Sequence, residues 1–318
     1  MFGLTFLTAT SKTTTHRVVP FRIGKLFSSV AGYAAGGAPN TSGIDKIAFP
    51  ADTKSTLAAT LTTARNEAIG FANSGTAGYA AGGNDGANIS GIDRIAFPAD
   101  TKTTLSSTLT TARRLGAGFA NSGVAGYAAG GLDSSYISGI DKVTFSTDSR
   151  TTLSATLTNG RFGVTGFANS GVAGYSAGGY DGANISGIDK IAFPADTKTT
   201  LSATLTTARR YVSGFANSGV AGYAAGGSDS VENSGIDKVS FPADTKTTLS
   251  ATLTTARDSA AGFANSGVAG YAAGGYDSGG RLSGIDKVAF AADTKTTLSA
   301  TLTTARNFAA GFADSGTL

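Results

Sequence analysis

The hexapeptide Gly-Tyr-Ala-Ala-Gly-Gly, once with Ser for the first Ala, occurs six times in this chain. Its tyrosines are Tyr33, Tyr79, Tyr127, Tyr175, Tyr223 and Tyr271, separated by 46 residues and then by 48 each time. Repetition at this period constrains a chain strongly, because one supersecondary unit must bury its apolar face against copies of itself. A full unit, beginning at Gly174, reads GYSAGGYDGANISGIDKIAFPADTKTTLSATLTTARRYVSGFANSGVA. It contains four stretches with strand chemistry. Gly-Tyr-Ala-Ala runs into a glycine pair, and Ile-Asp-Lys-Ile-Ala-Phe alternates apolar with polar. A Pro-Ala-Asp-Thr-Lys turn follows, then Thr-Leu-Ser-Ala-Thr-Leu, and finally Gly-Phe-Ala-Asn-Ser-Gly. Four strands per 40–50 residues, repeated six times, predict an all-β, six-bladed β-propeller with four-stranded antiparallel blades. A solenoid would need atypical capping repeats, and none is visible. The last repeat ends at Phe312 within Gly-Phe-Ala-Asp-Ser-Gly, so this C-terminal strand is expected to join the blade opened by Gly32–Gly37 and close the ring.

Composition narrows the chemistry. The 318 residues include 45 Gly, no Cys and one His (His16), which removes disulfides, thiolate sites and multi-histidine metal centres. Only 14% of residues are charged and 41% are hydrophobic, enough apolar material for a folded core. No apolar run approaches the roughly 18 residues that span a bilayer, and the opening MFGLTFLTATSK lacks the pattern of a signal peptide. The net charge of +4 resides in residues 1–30, which carry Lys12, Arg17, Arg22 and Lys25 and no acid. The remainder is balanced at 21 basic and 21 acidic residues, so no nucleic acid partner and no membrane insertion are expected.

The glycine pair ending one strand, the arginine closing the third stretch and the period near 48 resemble the kelch repeat. The likeness covers 31–318, with repeats 31–76, 77–124, 125–172, 173–220, 221–268 and 269–318. There is no Trp, and Phe49, Phe97, Phe145, Phe193, Phe241 and Phe290 stand near the usual kelch Tyr. GYAAGG…GIDKIAF…DTKTTLSATLTTAR is also similar to the kelch-like repeats of tailed-phage virion proteins, especially cyanophage ones. That resemblance implies a non-enzymatic virion component located on a tail fibre or surface appendage. Residues 1–30 would form an attachment arm to other virion proteins through Phe2, Leu4, Phe6, Arg17, Arg22 and Lys25. Arg22–Val30 faintly resemble an inner strand and would compete with the better-matched C-terminal one.

Comparison among the six repeats locates the variation. It falls after the glycine pair (38–42, 84–90, 132–138, 180–186, 228–234, 276–283) and after the repeated Arg (66–69, 114–117, 162–165, 210–213, 258–261, 307–310). In an up-and-down blade both regions emerge on one face, so a varied rim is expected on a uniform scaffold. The rim carries Tyr136, Tyr180, Tyr211, Tyr276, Phe162, Phe308, Arg114, Arg210, Arg281 and Asn84. Exposed aromatics with Arg and Asn suit host surface polysaccharide, offering stacking faces and polar bonds. The alternative is a purely structural capsid or tail component cementing neighbouring subunits.

The repeated acids are expected to be structural. Asp85, Asp133, Asp181, Asp229 and Asp277 suit Asx-turns better than a calcium ring. Asp45, Asp93, Asp141, Asp189, Asp237 and Asp286, with Arg65, Arg113, Arg161, Arg209, Arg257 and Arg306, suit one tie per blade, because an enzyme needs one site, not six. Gly36-Gly37 and its copies do not lead into a helix as a phosphate loop would. No catalytic residue, metal ligand or cofactor is expected.

Overall fold

The structure, a computed structural model, describes residues 30–314. Its main elements are six four-stranded antiparallel sheets arranged as a ring, a six-bladed β-propeller with no helix among the described residues. The second blade shows the plan. Ile69–Asn73 is innermost, followed outward by Ala77–Ala81, Ile92–Ala96 and Thr101–Thr104. Each innermost strand touches the innermost strands on either side. In the first blade that place is taken by Ala310–Ala313, which pairs antiparallel with Ala31–Ala35 and sets Phe312 opposite Tyr33. The ring therefore closes on a hydrogen-bonded clasp between the two ends of the described chain, which removes an open edge. The attachment residues Phe2, Leu4, Phe6, Arg17, Arg22 and Lys25, and the competing strand at Arg22–Val30 except Val30 itself, lie outside the described residues.

One expectation is corrected. The outermost strand is Thr-Lys-Thr-Thr, as at Thr101–Thr104, and not the following Thr-Leu-Ser-Ala-Thr-Leu. The reason lies in its partner. Ile92–Ala96 ends at Ile92, whose carbonyl takes the Leu105 amide at 2.9 Å, and beyond Leu105 the chain has no strand to pair with. It peels away, sends Leu109 into the core, and presents Thr110 and Arg113 to the next blade. Each sequence repeat thus supplies three strands to one blade and the inner strand of the next.

Close packing between blades explains two glycines per repeat. Gly70, Gly118, Gly166, Gly214, Gly262 and Gly311 form a ring around the axis, where a Cβ on any one would strike the carbonyl of the preceding one. Gly78 and its equivalents lie under the phenylalanine ring of the previous blade, as Phe312 covers Gly78 and Phe71 covers Gly126. Those phenylalanines begin aromatic triads that cross the blade interface. Phe312, Tyr33 and Phe97 stack with centroids 5.4 and 4.9 Å apart. Phe119, Tyr127 and Phe193 repeat the arrangement at 5.2 and 5.1 Å. All six tyrosines are fully buried.

Two polar ties accompany each triad. The Tyr33 hydroxyl and the Lys46 ammonium both donate to Asp100, in the turn of the next blade, at 2.8 and 2.6 Å. The same link joins the last blade to the first, where Tyr271 and Lys287 donate to Asp52. The second tie uses the repeated Asp and Arg. Asp93 accepts from the Thr62 amide at 2.8 Å, the Thr62 hydroxyl at 2.6 Å and the Thr104 hydroxyl at 2.8 Å. Arg65 pairs with it at 3.2 Å and donates to the Ala80 carbonyl. Arg306 and Thr303 do the same to Asp45 across the closure. Burial alone would push the Asp93 carboxyl up. The bonds from Thr62 and Thr104 and the Arg65 charge outweigh it and hold the group below the usual carboxylate range. The recurring Asp and Arg are therefore structural ties, as their sixfold occurrence implied.

Candidate ligand-binding rim

Antiparallel order places the loops after the glycine pairs and the links between blades on one face. The turns of the other face carry the near-invariant Asn-Ser-Gly and Pro-Ala-Asp sequences, the latter replaced by Ser146-Thr147-Asp148 and Ala291-Ala292-Asp293 in two blades. On the variable face the link after each repeated Arg holds a residue with positive φ: Glu67, Leu115, Gly163, Tyr211, Ser259 and Phe308, between 55° and 64°. Their backbones form a closed ring. Each amide donates to the carbonyl of the preceding member at 2.8–3.0 Å, beginning with Glu67 to Phe308 and ending with Phe308 to Ser259. This girdle rims a depression of about 110 Å³ at the mouth of the central channel. Beneath it a second space of about 90 Å³ narrows onto the glycine ring.

The rim aromatics converge on one side of that mouth. Tyr136 lies 5.5 Å from Phe162 and 6.1 Å, edge-on, from Tyr180. Phe162 lies 5.4 Å from Tyr180 and 6.1 Å from Tyr211. Tyr211 meets Phe308 edge-on at 5.1 Å across the depression. The result is a continuous patch of five rings reaching from the third and fourth blades into the channel mouth. Tyr136 is 43% exposed, and the other four are half-buried. Arg210 lies over both Tyr180 and Tyr211, with its guanidinium carbon 4.9 and 5.2 Å from the ring centroids. Arg114 stands at the same register one repeat pair earlier and is bound to Glu67 at 2.7 Å.

The structure divides the other rim residues from this cluster. Tyr276 and Arg281 face each other across a small hairpin on the sixth blade, Tyr276–Asp277 with Gly280–Arg281, both exposed. Asn84 bridges Asn66 and Asn88 on the second blade. Glu67, Leu115, Gly163 and Ser259 line the mouth but were not singled out from sequence. Their signal was available, since each occupies the repeat position of Tyr211 and Phe308. Behind the mouth, burial pushes the Asp258 carboxyl up. The Ser259 hydroxyl donates to it at 2.7 Å and opposes that rise, Glu232 adds to it, and Arg210 opposes it.

The acids after the glycine pairs act mainly as loop formers. Asp133 accepts from the Ser135 amide at 2.6 Å and Asp277 from the Gly279 amide at 2.8 Å; Asp85 and Asp229 make longer versions of this turn. Asp181 instead receives the Asn159 amide group at 2.7 Å. No three His, Cys, Asp or Glu side chains gather into a metal-sized cluster among the described residues. No protein-family model matches the chain, and no curated protein matches it. The fold and the rim together define the class: a β-propeller presenting one varied, aromatic face.

Proposed function

We propose that the protein is a non-enzymatic binding propeller that holds surface glycan on its variable rim. The observation that carries this reading is the five-ring patch of Tyr136, Phe162, Tyr180, Tyr211 and Phe308 opening into the channel mouth. Sugars present apolar ring faces and polar edges, and clustered tyrosines beside Arg and Ser groups match both. The repeated acids and arginines, spent on ties in every blade, support a role without catalysis. The resemblance of the repeats to kelch-like repeats of tailed-phage virion proteins supports the finer proposal of a tail-fibre or appendage component docked through residues 1–30.

A second reading, a structural component cementing neighbouring virion subunits, draws on the opposite face. There Val124, Val172, Val220 and Val268 stand in the turns after four of the inner strands, each about half exposed, with Thr76 at the same place in another. A panel of bacterial surface polysaccharides distinguishes the two. Saturable binding is expected, weakened about tenfold or more by Tyr136→Ala combined with Tyr180→Ala and left intact by Tyr276→Ala. Absence of binding by the folded protein would transfer the function to the valine face.

A further inference from the structure

We propose that this rim is selective for acidic glycans, with Arg210 receiving their carboxylate, phosphate or sulfate groups; the inference rests on the glycan reading above. It comes from comparing two arginines at one repeat position. Arg114 is neutralised by Glu67, which stands in the link one blade earlier. The position that would supply the same partner to Arg210 is Gly163, which has no side chain. Its missing Cβ leaves room for the Tyr211 ring and the Arg210 stem, each of which a Cβ there would approach to about 3 Å. Among the described residues, no carboxylate lies within ion-pair distance of Arg210; its Nε is buried and unpartnered, as is that of Arg114, so the contrast between the two lies in their terminal amino groups. Asp258 influences it only from beyond that distance.

Tyr180 and Tyr211 hold the guanidinium by their faces, which fixes its plane and leaves its N–H edge uncommitted. A planar fork of donors matches a carboxylate or phosphate in a bidentate pair. The adjacent rings Phe162 and Tyr136 then offer stacking surface for the sugar that bears the anion. A single-stranded nucleic acid would need a basic groove tracking its backbone. The body of the chain is charge-balanced, and this patch offers one uncommitted cation, so an acidic saccharide is the better match.

The test compares the full chain binding polygalacturonate with binding the same polymer after carboxyl reduction, with a phosphate-bearing teichoic acid and oligo-dT as further arms. The expected result is binding to polygalacturonate or teichoic acid about tenfold tighter than to the reduced polymer. Arg210→Gln should abolish that preference, Arg210→Lys should retain part of it, and Arg281→Gln should leave it unchanged. Thermal melts confirm that each variant is folded. Equal binding of charged and reduced polymers would overturn the inference and leave the glycan reading standing. No binding to any polysaccharide would overturn both. Binding of oligo-dT as tight as that of polygalacturonate, or equal losses from Arg210→Gln and Arg281→Gln, would also overturn the inference by reducing it to general charge attraction.

Discussion

The side chains that hold this propeller are few, and each works in a buried setting where losing a partner is expensive. Asp93 receives two threonines and one arginine. Asp93→Asn leaves Arg65 as an uncompensated buried cation, and stability measured by urea unfolding is expected to fall by about 3 kcal/mol. The glycines divide by surroundings. Gly118→Ala drives a Cβ against the Gly70 carbonyl, whereas a Cβ on Gly123 meets nothing within 4 Å and has only a φ of 80° against it. Gly123→Ala should cost about 1 kcal/mol and Gly118→Ala at least about 3 kcal/mol. Equal losses in the two unfolding curves would show that backbone strain, and not contact between blades, controls both positions.

Among the described elements, the strand Ala310–Ala313 has a role that no other strand shares. Every other inner strand is continuous with its blade's second strand through a turn, while this one reaches its blade from the far end of the chain. Removing residues 309–318 exposes the edge of Ala31–Ala35 and strips Phe312 from the Tyr33 triad. The expected outcome is a lower melting temperature with concentration-dependent association on size-exclusion chromatography, since an open strand edge templates pairing between chains. Retention of a monomer with an unchanged melt would mean that the polar ties of Arg306 to Asp45 and Lys287 to Asp52 suffice without the clasp.

At the scale of the molecule, sixfold repetition multiplies small ionisation effects. Asp45, Asp93, Asp189, Asp237 and Asp286 all lie below the usual carboxylate range: burial raises each of them, and their hydrogen bonds and arginine charges prevail. Their stabilisation is complete above about pH 4, the unfolded value, and is lost as pH falls through the lower folded values. The core tyrosines move the other way. Burial, reinforced by bonds to Asp100 and its equivalents, raises them, with Tyr79 at about 12. Their contribution is complete below about pH 10 and declines as pH rises through the folded values. Urea midpoints should therefore be level between these limits and drop on both sides. An unchanged midpoint at pH 3 would show that the aspartate ties add no net stability.

Period, strand chemistry and the matching ends of the chain were enough to specify a six-bladed ring and its C-terminal clasp, because local alternation and repetition are properties of sequence alone. The same comparison of repeats placed the variation on one rim. The outermost strand could not be placed in this way. Thr-Leu-Ser-Ala-Thr-Leu has the alternation of a strand, but its fate depends on where the partner strand ends and where the next blade's aspartate waits. Nor could the rim residues be sorted. Tyr276 and Tyr180 occupy the same repeat position and both bridge the preceding link, yet Tyr180 meets Phe162 and Tyr136 there while Tyr276 meets Asp258, with Glu232 at the register of Tyr136, and only the packed blades show which positions are neighbours. The bare guanidinium of Arg210 belongs with these: Gly163 lies 47 positions earlier, and only the packing of adjacent blades makes them neighbours.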